Sequence, residues 1–556
     1  MDRPIFRGKE MKKAKLVLFS NAIFDSVAES PFPGGIAIDG NKIVYIGPKD
    51  ELRPFIGPNT TVKDFGDKLI TPGFCDAHAH IEGGIYRECV PQADLFTAKS
   101  EDECARRCAE FAQAHPELDI ICGNGWNLTE WEEGAPAPTR HSLDKYLPDK
   151  AVFNFCADGH SFWCNTKAME LADLDGMMKK NPRLPAGSIV REPDGHPSGQ
   201  FKDGWSLALR EKSQKYPEET MFKFTRDYVK KLNSMGTTSM GEVSMVPPDA
   251  IVPFYSNVKR LENNGELTLR LFIYPGTKRM ETEGLEQLFQ YAEFINSDLL
   301  KLCGLKAVID GVPATYTAAL LEPYADDPST KGMLIKPREE LIPYIVKANA
   351  LGLPVRIHAV GDAAVRMSLD GFEESIKVNG RLGLRNAIEH MDAVDEADVP
   401  RFKELDVIGS MQPAHLIMDN RIREARCGKE RSKYDWGFRR LINAGVKMAF
   451  GTDAPVVSAN LYESFYMAVY RKNLNGVSLN REGAGDQSLT LAETLKGFTI
   501  GGAYLHGVDD RLGTLEAGKY ADITVSNINL FDATEEELKT AHCVYTIFNG
   551  DVVYQE

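Results

Sequence analysis

Across its middle this chain repeats one pattern, a short apolar run of strand length followed by a stretch of helical periodicity. Strand candidates fall at residues 69–80, 237–243, 267–274, 302–310, 353–358, 385–390, 407–411 and 446–451. Between the later ones, residues 339–351 and 363–378 carry apolar positions at helical spacing. Parallel strands need long crossover connections, so this alternation selects βα units and a parallel sheet. Eight such units point to an α/β fold closed as a (β/α)8 TIM barrel, whose chemistry collects at the C-terminal ends of the strands.

The two ends of the chain read as β. Asp39-Gly-Asn-Lys42 separates two alternating runs, and Asn549-Gly-Asp551 does the same near the far end; both are hairpin turns. Neither end has enough strands for a core of its own. Residues 1–70 and 510–556 are therefore expected to combine into one small β-sandwich, with residues 71–509 forming the barrel. The gap after the first strand is too long for one βα unit. Residues 82–225 hold Trp126, Trp131, Trp163 and Trp205, four of the five tryptophans, and read as an inserted subdomain over the barrel mouth.

Composition narrows the function. With 556 residues, 43% of them hydrophobic, the chain can bury a large core. A net charge of −15 argues against a nucleic-acid partner. No apolar run reaches membrane-spanning length, and the charged start has no apolar stretch of a secretory signal behind it. The ten cysteines include no CxxC pair, so the expected setting is a reducing cytoplasm.

Chemistry-bearing residues gather at the strand ends. In an extended strand Asp76, His78 and His80 share a face, and two imidazoles about 7 Å apart can turn their nitrogens onto one cation. Lys306, His358, His390 and Asp453 lie in or just beyond four later runs. A single histidine at a strand end is more often a hydrogen-bonded core residue, and a lysine in an apolar strand more often snorkels outward. Together they resist that reading, because four of only eleven histidines end proposed barrel strands, with an aspartate at the eighth. Small residues below Asp453, Ala449 and Gly451, leave room for side chains or an ion to converge.

The motifs Pro72-Gly-Phe-Cys-Asp-Ala-His-Ala-His80, Asp158-Gly-His160, Leu305-Lys-Ala-Val-Ile-Asp-Gly311, Ile357-His-Ala-Val-Gly-Asp362, Glu389-His390, Met411-Gln-Pro-Ala-His415 and Gly451-Thr-Asp-Ala-Pro455 together resemble the amidohydrolase superfamily, in the branch of N-substituted formamide deformylase. The resemblance implies a metal-dependent hydrolase that cleaves a C–N bond, other than a peptide bond, in a small amide or an N-acyl or N-formyl compound by means of a metal-activated hydroxide. It implies Zn2+ or another divalent ion, one or two per chain with two favoured. His78, His80 and Asp453 would hold one ion, and His358 and His390 the second, with a carboxylated Lys306 bridging them. Asp453 is the expected general base, and His160 and His415 are further catalytic candidates. Trp126, Asp158, Trp163 and Gln412 are the substrate-binding candidates.

Other residues carry simpler expectations. Arg356 shares the parity of His358 and reads as a buried charge partner deeper in the barrel; Asp362 reads as a helix cap. Asn165 belongs to the same motif as Asp158, and Asp203 stands where relatives carry a glutamate. The partner is a small-molecule substrate, without nucleic acid or membrane, and the resemblance allows a homodimer. Two rival readings use the same residues: a one-metal deaminase of a ring amidine, and a catalytically silent scaffold protein.

Overall fold

The computed structural model describes residues 12–128, 131, 135–157, 161–180, 188–202, 205, 209, 216–276, 282–291, 293–418 and 420–556. The chain divides into two compact units, one formed up to Glu88 and from Phe224 to Glu556, the other by Cys89–Lys223. Among the described residues no helix is long and apolar enough to cross a membrane.

Parallel strands form the centre of the first unit. They are β1 (Phe74–Ala79), β2 (Thr237–Glu242), β3 (Arg270–Ile273), β4 (Leu300–Leu302), β5 (Leu305–Val308), β6 (Val355–Ala359), β7 (Ala387–His390), β8 (Ile408–Met411) and β9 (Met448–Phe450). Most of their residues are buried on both faces, the situation of strands covered by helices on one side and a packed interior on the other. Helices such as Ile251–Asn263, Arg338–Ala350 and Asp362–Asn379 supply the crossovers.

The strands pair as two sheets, β4-β3-β2-β1 and β5-β6-β7-β8-β9, where the sequence suggests a single ring of eight. The run at 302–310 is the reason for the ninth strand. Its chain leaves β3, to which β4 is paired, and after Cys303-Gly304 continues as β5 against β6. Backbone bonds also join the sheets' outer strands. Asp453 N donates to His78 O at 2.6 Å and His80 N to Ala454 O at 2.8 Å, while Lys306 N donates to Pro275 O at 3.0 Å.

Strands from both termini make one mixed eight-stranded sheet, not two stacked ones. Its order is Asp551–Gln555, Cys543–Phe548, Ile523–Ser526, Leu69–Pro72, Leu16–Ile23, Phe32–Asp39 and Lys42–Gly47, with Thr61–Asp64 also beside Leu16–Ile23. This sheet curls until Ile43 N donates to Lys519 O, enclosing Leu18, Ile36, Ile70, Ile523 and Ile547. The run at 69–80 therefore serves two sheets: Leu69–Pro72 joins the terminal one and β1 the parallel one. Gly73 makes the crossing, where a Cβ would stand 2.3 Å from Thr238 Oγ1.

The second unit carries a six-stranded sheet ordered Ile189–Arg191, Pro197–Lys202, Ser161–Cys164, Ala151–Cys156, Ile120–Trp126 and Ala93–Asp94. The helix Ile81–Glu88, which directly follows the paired histidines, belongs to the first unit.

Candidate metal centre

Register brings the chemistry to one end of the parallel strands. Val308 lies opposite His358, His358 opposite Glu389, and Ala359 opposite His390. His80 immediately follows β1, His415 sits in the turn Pro413–Ile417 after β8, and Asp453 lies just beyond β9. His390 and Asp453 have φ of 71° and 62°, a left-handed backbone that costs energy in residues with a Cβ and is held here by the surrounding packing.

Asp453 is the hub. Its Oδ1 is 3.0 Å from His80 Nε2 and 3.4 Å from His78 Nε2; its Oδ2 is 3.5 Å from His415 Nε2 and 4.0 Å from His390 Nδ1. The His358 and His390 rings meet edge to face with centroids 4.3 Å apart, and those of His390 and His415 lie parallel at 5.7 Å. Lys306 Nζ is 3.3 Å from His78 Nε2. Among the described residues two donor triads are close enough to share a cation, His78–His80–Asp453 and His390–His415–Asp453.

The electrostatics favour the donor forms. Burial, followed by the charge of Lys306, lowers His358 to about 3. Burial lowers His415 to about 4 against the opposing pull of Asp453, and it takes His390 well below the ordinary value. These imidazoles are neutral and keep a lone pair. Burial alone would raise Asp453, but the His78 and His80 rings hold it well below the carboxylate range, so it stays an anion. Burial brings Lys306 down to about 8 despite the nearby Glu389 carboxylate. Among the described residues His358 Nε2 and His415 Nε2 are buried without a hydrogen-bond partner, a costly state that a bound cation would relieve. The donor set therefore fits a divalent metal.

Residues 61–554 match the amidohydrolase family. The chain belongs to that family. It is 27% identical to "Protein LONG AFTER FAR-RED 3" of Arabidopsis thaliana over 97% of this chain and 92% of that protein. It is 22% identical to the N-substituted formamide deformylase of Arthrobacter pascens over 94% of each. Among solved structures, an uncharacterized metal-dependent hydrolase from Pyrococcus horikoshii OT3 is 28% identical with a TM-score of 0.75, covering 94% of this chain and 99% of that one.

In this amidohydrolase His78, His80, Lys306, His358, His390, Gln412, His415 and Asp453 come together, whereas the tryptophan candidates pack in the second unit. Trp126 and Trp163 are core residues of the second unit, 1% and 0% exposed, with their indole N–H groups given to Asn154 O and Thr139 O. Gln412 is buried beside His390, whose Nδ1 lies 2.9 Å from its Oε1, a contact that orients that ring. Asn165 caps the helix Thr166–Leu171. Asp362 opens the helix Asp362–Asn379 but also accepts from Leu321 N at 2.9 Å, tying down a loop. Asp158, His160 and Asp203 lie outside the described residues.

Three supporting residues escape a reading by strand parity. Glu389 accepts from His78 Nδ1 at 2.5 Å and pairs with Arg356 Nε at 2.6 Å. Alternation would send Glu389 and His390 to opposite faces, but the left-handed turn at His390 returns both to the same site. Ser244 Oγ lies 3.2 Å from His80 Nδ1, and Glu242 accepts the Ser244 and Ile81 N–H groups at 2.8 and 2.5 Å. Their sequence signals are slight: Glu389 directly precedes a ligand candidate within the Glu389-His390 motif, and Glu242 ends a strand.

Proposed function

We propose that this protein is a metal-dependent hydrolase of a C–N bond in a small molecule of the amide, N-acyl or N-formyl class, and not of peptides. The observation that carries the reading is the convergence of five histidines, Lys306 and the anionic Asp453 at one end of the parallel strands. The relation to N-substituted formamide deformylase supports the bond type. The backbone bonds between the two parallel sheets support a closed eight-unit barrel around the site.

In this reading His78, His80 and Asp453 would hold one ion, and His358 and His390, with Lys306 in carboxylated form, a second. Imidazole and carboxylate donors suit Zn2+. A divalent ion bound there supplies Lewis acidity toward a carbonyl oxygen and lowers the pKa of water. Asp453 then accepts the proton of the attacking water and returns it to the leaving amine nitrogen, a role its central position among the imidazoles allows. His415 Nε2, 3.5 Å from Asp453 Oδ2, is placed to hold a proton in transit. The adjacent Gln412 keeps His390 turned toward the centre.

The rival one-ion deaminase of a ring amidine shares the histidine and aspartate donors but has no use for a carboxylated Lys306, which stands 3.3 Å from His78 Nε2. Metal equivalents per chain separate the two readings. The functional test compares metal-stripped and zinc-loaded protein on panels of N-formyl and N-acyl amines, scoring amine release. Turnover only in the loaded protein, reduced about 10²–10⁴-fold by Asp453→Asn, is expected. Full activity in the stripped protein would remove metal from the mechanism.

A further inference from the structure

Beneath the donor cluster lies a buried ion pair that serves neither as a ligand nor as surface decoration. Arg356 and Glu389 are both 0% exposed and joined through Nε and Oε1 at 2.6 Å. The other Glu389 oxygen faces His78 Nδ1 at 2.5 Å. Arg356 Nη2 donates to Ala77 O at 2.8 Å and to Ser410 Oγ at 3.4 Å, and the guanidinium lies over the Tyr274 ring at 4.5 Å. Two charges taken out of water are expensive, and replacing such a pair by apolar residues often costs a protein nothing. Stability alone therefore gives little reason for the pair.

Its connections give another. Arg356 is two residues before His358 on β6, Glu389 is one residue before His390 on β7, and Ala77 is next to His78 on β1. The pair thus bonds directly to the three strands that carry three of the donor imidazoles. An ionised carboxylate can only accept, so His78 Nδ1 donates to Glu389, and Nε2 is the nitrogen left toward the cation site, 3.3 Å from Lys306 Nζ and 3.4 Å from Asp453 Oδ1. At His80 the corresponding Nδ1 faces only the Ser244 hydroxyl, which can donate or accept, so the charged arrangement is particular to His78.

We propose that Glu389 and Arg356 form a positioning pair for the cation site: Glu389 fixes the tautomer and aim of His78, and Arg356 holds Glu389 while clamping β1 to β6 and β8. The inference rests on the metal reading above. Carboxylates behind ligating histidines are worth about 10–100-fold in metal affinity.

The test measures zinc affinity by chelator competition and thermal midpoint on the full chain, for wild type, Glu389→Gln and the double variant Glu389→Met with Arg356→Met. Glu389→Gln is expected to bind zinc about 10–100-fold more weakly than wild type. The double variant, with no unpaired buried charge, should regain the thermal midpoint yet keep the weakened affinity. Recovery of affinity together with the midpoint would reduce the pair to a packing element, and wild-type affinity in Glu389→Gln would overturn the proposal outright. If the double variant does not fold, Glu389→Asp serves, since it keeps the charge but shortens the reach; unchanged affinity there is equally fatal. Wild-type protein that takes up no zinc at all would instead overturn the metal reading on which this rests.

Discussion

Below the ion pair, Tyr274 Oη and His506 Nδ1 are 2.9 Å apart, and the His506 ring stacks on Phe272 at 4.4 Å. Burial first, and then the charge of Arg356, takes His506 well below its ordinary 6.5. A base with a depressed pKa is neutral in the fold, whereas the unfolded chain binds a proton below about 6.5. Its contribution to stability is therefore complete above pH 6.5 and is lost as the pH falls. Denaturation midpoints of wild type and His506→Gln at pH 7.5, 6 and 5 should show the wild type losing ground to the variant by about 1.4 kcal/mol per pH unit below 6.5. Parallel curves would mean that His506 is protonated in the fold. Donor residues such as His78 and His390 were legible in the sequence because metal chemistry restricts residue type. Glu389 was not, because a backbone turn at His390 overrides the alternation that parity reasoning relies on.

At the scale of the element, the ends of the parallel strands are set by where small residues permit close approach. A Cβ on Gly451 would stand 2.4 Å from His78 N and 2.8 Å from His78 Cβ. The sequence reads Gly451 as room for side chains or an ion to converge, and the neighbouring strand takes that room, which places His78 against Asp453. Thr452 completes the joint by donating N and Oγ1 to Asp76 at 2.9 and 2.5 Å. Gly451→Ala should cost about 1–3 kcal/mol by overpacking and weaken metal uptake as well, read from denaturant midpoints and bound zinc. A variant as stable as wild type with full zinc would show that the strands are not held this closely. Apolar runs revealed that strands exist but not where they change partners. Residues 69–80 and 302–310 each contain a switch between sheets, and only three-dimensional pairing discloses it.

Across the whole first unit, the sheet made by the termini is tied to the parallel strands by Arg270 on β3. Its guanidinium meets Asp522 at 3.0 Å and Asn549 Oδ1 at 3.1 Å, between the rings of Tyr520 and Phe548. Both charged side chains are 3% exposed, so removing one leaves a buried charge without its partner. Asp522→Ala should destabilise the protein by about 3–5 kcal/mol in equilibrium unfolding; a loss below 1 kcal/mol would show that the two regions do not depend on this pair. Hairpin turns and alternation showed that both ends are β, but their joining depends on contacts between residues more than 250 positions apart, for which a sequence pattern has no signal. The central claim remains the gathering of donors around Asp453, and anomalous diffraction at the zinc edge from crystals of zinc-loaded protein tests it most directly. The account predicts a peak within coordination distance of His78, His80 and Asp453, and a second beside His390. Peaks only elsewhere, or none, would contradict it.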